Sequence, residues 1–125
     1  MLTFALDGRK VLPKSPAPTY AVNVQDDPTE VLDPKMAASG KAMFLACAAC
    51  HGRNLVGAGG PAPDLRESAV PLNADAFYAV VHDGALMSRG MPSFKAFNAP
   101  IIEKYRQYIR TVQRETLAQQ KRIGK

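Results

Sequence analysis

Tryptophan is absent from this 125-residue chain, which has only two cysteines and two histidines. Two cysteines cannot form a multi-bridge disulfide framework, and they fall short of the paired motifs of a structural zinc site. No apolar run approaches the roughly 18 residues needed to span a bilayer, which excludes a transmembrane helix. The start, Met1-Leu2-Thr3-Phe4-Ala5-Leu6-Asp7, lacks a basic n-region, a long apolar h-region and a small-residue cleavage site. An exported form would therefore have lost its signal peptide, or is represented here without it. Aromatic residues are sparse, at 7%, so side chains alone would make a thin core. The hydrophobic fraction of 46% against 22% charged still describes an ordinary globule and excludes wholesale disorder.

The formal charge of +5 is unevenly placed. Residues 103–125 hold seven basic and two acidic side chains, and residues 1–102 hold nine of each, so the whole excess is C-terminal. Binding to a phosphate backbone needs clustered cations, usually with aromatic stacking platforms for single strands. Here Lys104, Arg106, Arg110 and Arg114 alternate with apolar positions, and no aromatic platform accompanies them. The expectation is a solvated helix face and no nucleic-acid partner.

Composition changes near residue 35. Pro13, Pro16, Pro18, Pro28 and Pro34 are half of the ten prolines. Leu2-Phe4-Leu6, the Asp7-Gly8 turn signal and Val11-Leu12 suit a short hairpin, and Pro13 to Pro34 reads as an extended linker or belt. Residues 36–125 then form the main domain. Asp33 can cap a helix with Pro34 at its first position, and Met36, Ala37, Gly40, Met43, Phe44 and Cys47 form one apolar stripe. Residues 52–72 are rich in Gly and Pro and suggest no regular element. Asn73 can cap a short helix to about His82, ended by Gly84. A last helix runs from about Ala99 to Gln120, with Ile101, Ile102, Tyr105, Tyr108, Ile109 and Val112 inward. The expected fold is all-α: three main helices joined by long loops, which must wrap around something.

Cys47-Ala48-Ala49-Cys50-His51 supplies that object, because C-x-x-C-H is the attachment sequence of c-type haem. Residues three apart on a helix can reach the two vinyl groups of one porphyrin, and the adjacent His51 can turn beneath the ring to ligate iron. Small Ala48 and Ala49 let the backbone approach. A zinc site would have to recruit the distant His82, and a thioredoxin-type dithiol would need a strand before its helix. One covalent haem c is the reading the motif favours.

With those residues in view, positions 36–112 resemble a class I cytochrome c domain. The resemblance implies a cytochrome c fold in which Gly40 and Phe44 of the first helix cross the last helix at Tyr108, with Tyr105 a second candidate. Pro63-Asp64-Leu65 matches the family's proline-x-leucine. That match implies a Pro63 carbonyl on the His51 ring and Leu65 packed on the haem; a plain loop stiffener is the other reading of Pro63. Arg89-Gly90-Met91-Pro92-Ser93-Phe94 matches the distal loop, implying Met91 as sixth ligand and Phe94, with Phe97, as its seal. Met36 and Met43 read as core filler, while Met87 and His82 are alternative ligands. The Leu2–Gly8 stretch with Leu12-Pro13, Ala62–Arg66 and Gly90–Phe94 resemble the C-terminal haem domain of quinohaemoprotein alcohol dehydrogenases, whose propeller carries pyrroloquinoline quinone.

A haem with His and Met on both axial positions has no open site, so the function implied is one-electron transfer without catalytic chemistry of its own. The implied partners are a quinone-dehydrogenase domain or other donor, and a downstream redox protein, quinone or oxidase. The implied location is periplasmic. The competing expectations are a free-standing cytochrome of another respiratory chain, a haem sensor or enzyme with an open sixth site, and a basic interaction module stapled by haem.

Overall fold

In a computed structural model, residues 21–57 and 62–124 are described; the expected hairpin at 2–12, Met1 and the glycines at 59 and 60 lie outside them. The described residues are helical, with no strand among them. Helix α1 (Pro34–Met43) starts as its sequence dictates: the Asp33 carboxylate accepts from Lys35 N at 2.8 Å and Met36 N at 3.2 Å, and Pro34 fills the first turn. The single apolar stripe expected across 36–47 is divided. The chain tightens at Phe44, and α2 (Leu45–His51) begins as a separate helix ending on the haem motif. The result is four α-helices among the described residues where three main ones were expected.

Where no regular element was expected, residues 62–72 contain 3₁₀ turns at Leu65–Glu67 and Val70–Leu72. Helix α3 (Ala74–Tyr78) is capped by Asn73, whose side chain accepts from Ala76 N at 2.8 Å. It runs on into a π-helical turn (Ala79–Asp83) that stops at Gly84, where φ is +80°. Asn98 caps α4 (Ala99–Ile123), 25 residues or about 37 Å long, three residues beyond the expected end.

Helices α1 and α4 cross at Gly40. A Cβ on Gly40 would lie 2.0 Å from the Lys104 carbonyl oxygen and 3.0 Å from Tyr108 Cβ, so only glycine permits this approach. Phe44, one turn on, meets Tyr108 edge-on at 5.2 Å and Tyr105 at 6.4 Å between ring centres. Both tyrosines therefore take part in the crossing. The core joins Phe44 to Leu55, Phe77, Val81, Ile102, Tyr105, Tyr108 and Ile109, with Met43 half-buried against it.

The other face of α4 overturns the expectation of a solvated cationic surface. Arg110 is fully buried, and Arg106 and Gln107 nearly so. Most of their partners come from residues 26–33, which pass along α4 with a turn at 28–30. Arg110 pairs with Glu30 and Asp26, each at 3.0 Å, and donates to the Asp27 carbonyl at 3.0 Å. Arg106 bonds Glu30, Glu103 and the Pro71 carbonyl, and Arg114 donates to the carbonyls of Glu30 and Asp27. Asp26 and Glu30 lie 76 to 88 residues before their arginines, so no local pattern announces them. Burial raises the Glu30 pKa, but hydrogen bonds and charge from Arg106 and Arg110 outweigh it and leave the group below its usual range.

Two consequences are measurable. Gly40→Ala should cost about 3 kcal/mol in urea unfolding, because backbone rather than a flexible side chain must move. Because the Glu30 pKa is depressed by folding, its contribution is complete above the ordinary glutamate value of about 4.3 and is lost as pH falls through the depressed one. Glu30→Gln should therefore lower stability by about 2 kcal/mol near neutral pH and flatten the acid limb of a stability–pH curve.

Candidate haem-binding site

Helix α2 carries Cys47 and Cys50 one turn apart, both as free thiols. Cys47 is half-buried against the core, whereas Cys50 is exposed. Desolvation, then the neighbouring Cys50, push the Cys47 thiol up to about 11. A dithiol redox centre needs a lowered pKa, so this pair is poorly suited to disulfide exchange. Among the described residues no group of three or more His, Cys, Asp and Glu side chains gathers as a metal ion would require.

His51 ends α2 and is buried. Its Nδ1 lies 3.0 Å from the Pro63 carbonyl oxygen, and since a carbonyl can only accept, Nδ1 carries the proton. The Nε2 lone pair is then free to act as a ligand, and the hydrogen bond behind it raises its basicity. An imidazole whose Nε2 is left unprotonated, with one free thiol on the preceding residue and another a turn earlier, is a donor set that fits haem c.

The loop that follows is shaped to return Pro63 to the ring. Gly52 turns the chain at φ +73°, and a Cβ there would meet the Val56 carbonyl at 2.2 Å. Leu55 holds a left-handed φ of +65° although it is not glycine. That conformation costs roughly 1–2 kcal/mol, and complete burial of the side chain, worth about 1.5–3 kcal/mol, offsets it. The Leu55 carbonyl then accepts from Leu65 N at 2.9 Å, pinning the chain just beyond Pro63. The Asp64 carboxylate accepts from Arg66 N at 2.9 Å and pairs with the Arg66 guanidinium; that bonding holds it below the usual carboxylate range despite partial burial.

Leu65, Met91, Phe94 and Phe97 are half-buried and pack on the same core cluster as Cys47 and Ala48. Gly90 precedes Met91 with φ +93°, and Met91 N donates to the Leu86 carbonyl at 3.3 Å. Phe94 N donates to the Val81 carbonyl at 2.8 Å, and its ring stacks on Phe97 at 5.4 Å. Phe97 in turn lies 5.7 Å from Tyr105. Of the alternative ligands, Met87 is exposed over Gly84, and His82 stacks on Tyr78 with Nδ1 2.7 Å from Asp83. Leu55 and Gln113 support the site but carry no motif; a buried glutamine on a helix face that reads as polar gives no sequence signal.

The family model described as "Cytochrome C oxidase, cbb3-type, subunit III" matches residues 35–109, which takes in the first crossing helix, the C-x-x-C-H turn and the loop bearing Met91. The chain belongs to the cytochrome c family. This cytochrome c domain is also similar to the dehydrogenase subunit of alcohol dehydrogenase (quinone) from Gluconobacter oxydans (strain 621H), at 35% identity over 87% of the chain. The corresponding subunit of Komagataeibacter europaeus is 38% identical over 99% of it, and quinohemoprotein alcohol dehydrogenase ADH IIB of Pseudomonas putida 38% over 75%. The cytochrome c domain spans only 13–17% of the length of these relatives, so the similarity is to a small part of each. No helix among the described residues is long and apolar enough to cross a membrane.

Proposed function

We propose that this domain carries single electrons through one haem c bonded to Cys47 and Cys50, with His51 and Met91 as its axial ligands. When bound, such a haem supplies a ferric/ferrous couple, and a thioether ligand favours the ferrous form. The observation that carries the reading is the 3.0 Å contact between His51 Nδ1 and the Pro63 carbonyl, at the end of a helix bearing both thiols. That bond orients the imidazole before any ligand arrives, which lowers the reorganisation accompanying a change of iron charge. Leu65 and Phe94, half-buried on the core, would flank the ring and exclude water. Gly90 gives the backbone a tight turn just before Met91, which would serve as the second protein ligand. With both axial positions filled by protein, no site remains for oxygen or peroxide, so these residues perform no bond chemistry.

In this reading residues 1–35 are the connecting segment and 36–125 the haem domain. Similarity to the haem domains of quinone-linked alcohol dehydrogenases supports a pyrroloquinoline quinone dehydrogenase domain as electron donor. The acceptor is a downstream redox protein, quinone or oxidase, and the compartment is the periplasm, where haem c is attached. Met91→Ala tests the ligand assignment. The ferric wild type should show the weak far-red band of methionine ligation and its ferrous form should not bind carbon monoxide. The variant should lose the band and bind the gas; a variant that kept both wild-type properties would refute Met91 as ligand.

A further inference from the structure

Gln113 is completely buried on the face of α4 opposite the aromatic crossing. Its carboxamide nitrogen lies 3.1 Å from the Leu65 carbonyl, 3.3 Å from that of Arg66 and 2.8 Å from that of Ser68. Three carbonyls can only accept, so the NH₂ must face them, and its two hydrogens are shared among the three. The opposite oxygen accepts from Arg110 at 3.2 Å, which polarises the amide and strengthens its donors. Thus one fully satisfied side chain clamps the whole 65–68 turn.

That turn begins two residues after Pro63, a span of at most ~7 Å. Wherever Leu65 is fixed, the Pro63 carbonyl has little freedom left. The extended belt grips the same turn directly: Gln25 N donates to the Arg66 carbonyl at 3.3 Å, and Asn23 N to Glu67 Oε1 at 2.8 Å. It grips the turn indirectly as well, since Arg110, which holds Gln113, is itself held by Asp26 and Glu30. A continuous path of hydrogen bonds therefore runs from the belt through Arg110 and Gln113 to the turn, and from there to His51.

We propose that Gln113 is a positioning residue for His51, holding the Pro63 carbonyl against Nδ1 and linking the N-terminal belt to the electron-donating strength of the imidazole. The inference rests on His51 being the iron ligand. A carbonyl held firmly on Nδ1–H makes the imidazole a stronger donor and favours ferric iron. A loosened carbonyl favours ferrous iron. The belt is the segment that leads toward whatever precedes residue 21, so its seating would set the potential of the haem.

The test uses the haem-loaded chain and compares Gln113→Met, of similar volume but without donors, with Gln25→Pro, which removes the belt N–H that bonds the Arg66 carbonyl directly. Ala37→Gly, buried between α1 and α4 and outside the path, controls for general loss of stability. Gln113→Met should keep the low-spin His-ligated spectrum while shifting the reduction equilibrium toward ferrous by about tenfold, or about 59 mV for one electron. Exchange of the His51 Nδ1 proton, followed by NMR, should accelerate in parallel. Gln25→Pro should shift the equilibrium the same way by a smaller factor, and it decides the question alone if Gln113→Met fails to hold haem. Potentials of the two variants equal to that of the Ala37→Gly control would overturn the inference while leaving the ligand reading intact. A wild-type spectrum without a ligated imidazole would instead overturn the ligand reading, and the inference with it.

Discussion

The hydrogen bond from His51 to the Pro63 carbonyl is the constraint on which the rest of this structure depends. A buried histidine can present either ring nitrogen, and a carbonyl at 3.0 Å from Nδ1 decides which. Much of the surrounding chain serves to keep that carbonyl in place. Gly52 reverses the backbone, and Leu55 accepts a left-handed conformation in return for complete burial. Its carbonyl then bonds Leu65, while Gln113 holds the turn from behind. The described parts of the loop between His51 and Pro63 thus have a defined mechanical purpose.

Helix α4 has two buried faces that do different work. Its aromatic face meets Gly40 and Phe44, so that α1 ends where α2 must begin. The Tyr105 hydroxyl adds a bond of 3.1 Å to the Met43 carbonyl, at the last residue of α1. Its arginine face receives the belt. Buried ion pairs of this kind add little net stability over apolar packing, yet removing one partner is costly, so they act as a register for the belt more than as its adhesive. The cations of residues 103–125 are accordingly a poor guide to the exposed face of α4, since Arg106, Arg110 and Arg114 are paired with Asp26 and Glu30.

The elements that were legible in the sequence have local causes. Asp33-Pro34 starts α1, Asn73 starts α3, Gly84 ends the turn that follows, and C-x-x-C-H sits at a helix end, all through interactions within a few residues. The Pro63 carbonyl was expected on the His51 ring from the match of Pro63-Asp64-Leu65 to the family's proline-x-leucine, beside a plain loop-stiffening role, and it lies 3.0 Å from Nδ1. What was not legible depends on distant partners. Arg106, Arg110 and Arg114 at four-residue spacing read as a solvated stripe until the belt supplies its acids. Gln113 reads as an ordinary polar position, and its three carbonyl partners lie 45 to 48 residues earlier. The break at Phe44 also escaped, since the apolar stripe passes through it unchanged and only the packing against Tyr105 and Tyr108 divides the helix.

The proposed function turns on a covalent haem on Cys47 and Cys50. The most direct measurement is the intact mass, under denaturing conditions, of the protein made in a host that matures c-type cytochromes, beside the Cys47→Ala Cys50→Ala variant. The account predicts that the wild type exceeds its polypeptide mass by one haem that denaturation does not release, and that the double variant has the polypeptide mass alone. A wild-type chain at the bare polypeptide mass would contradict it.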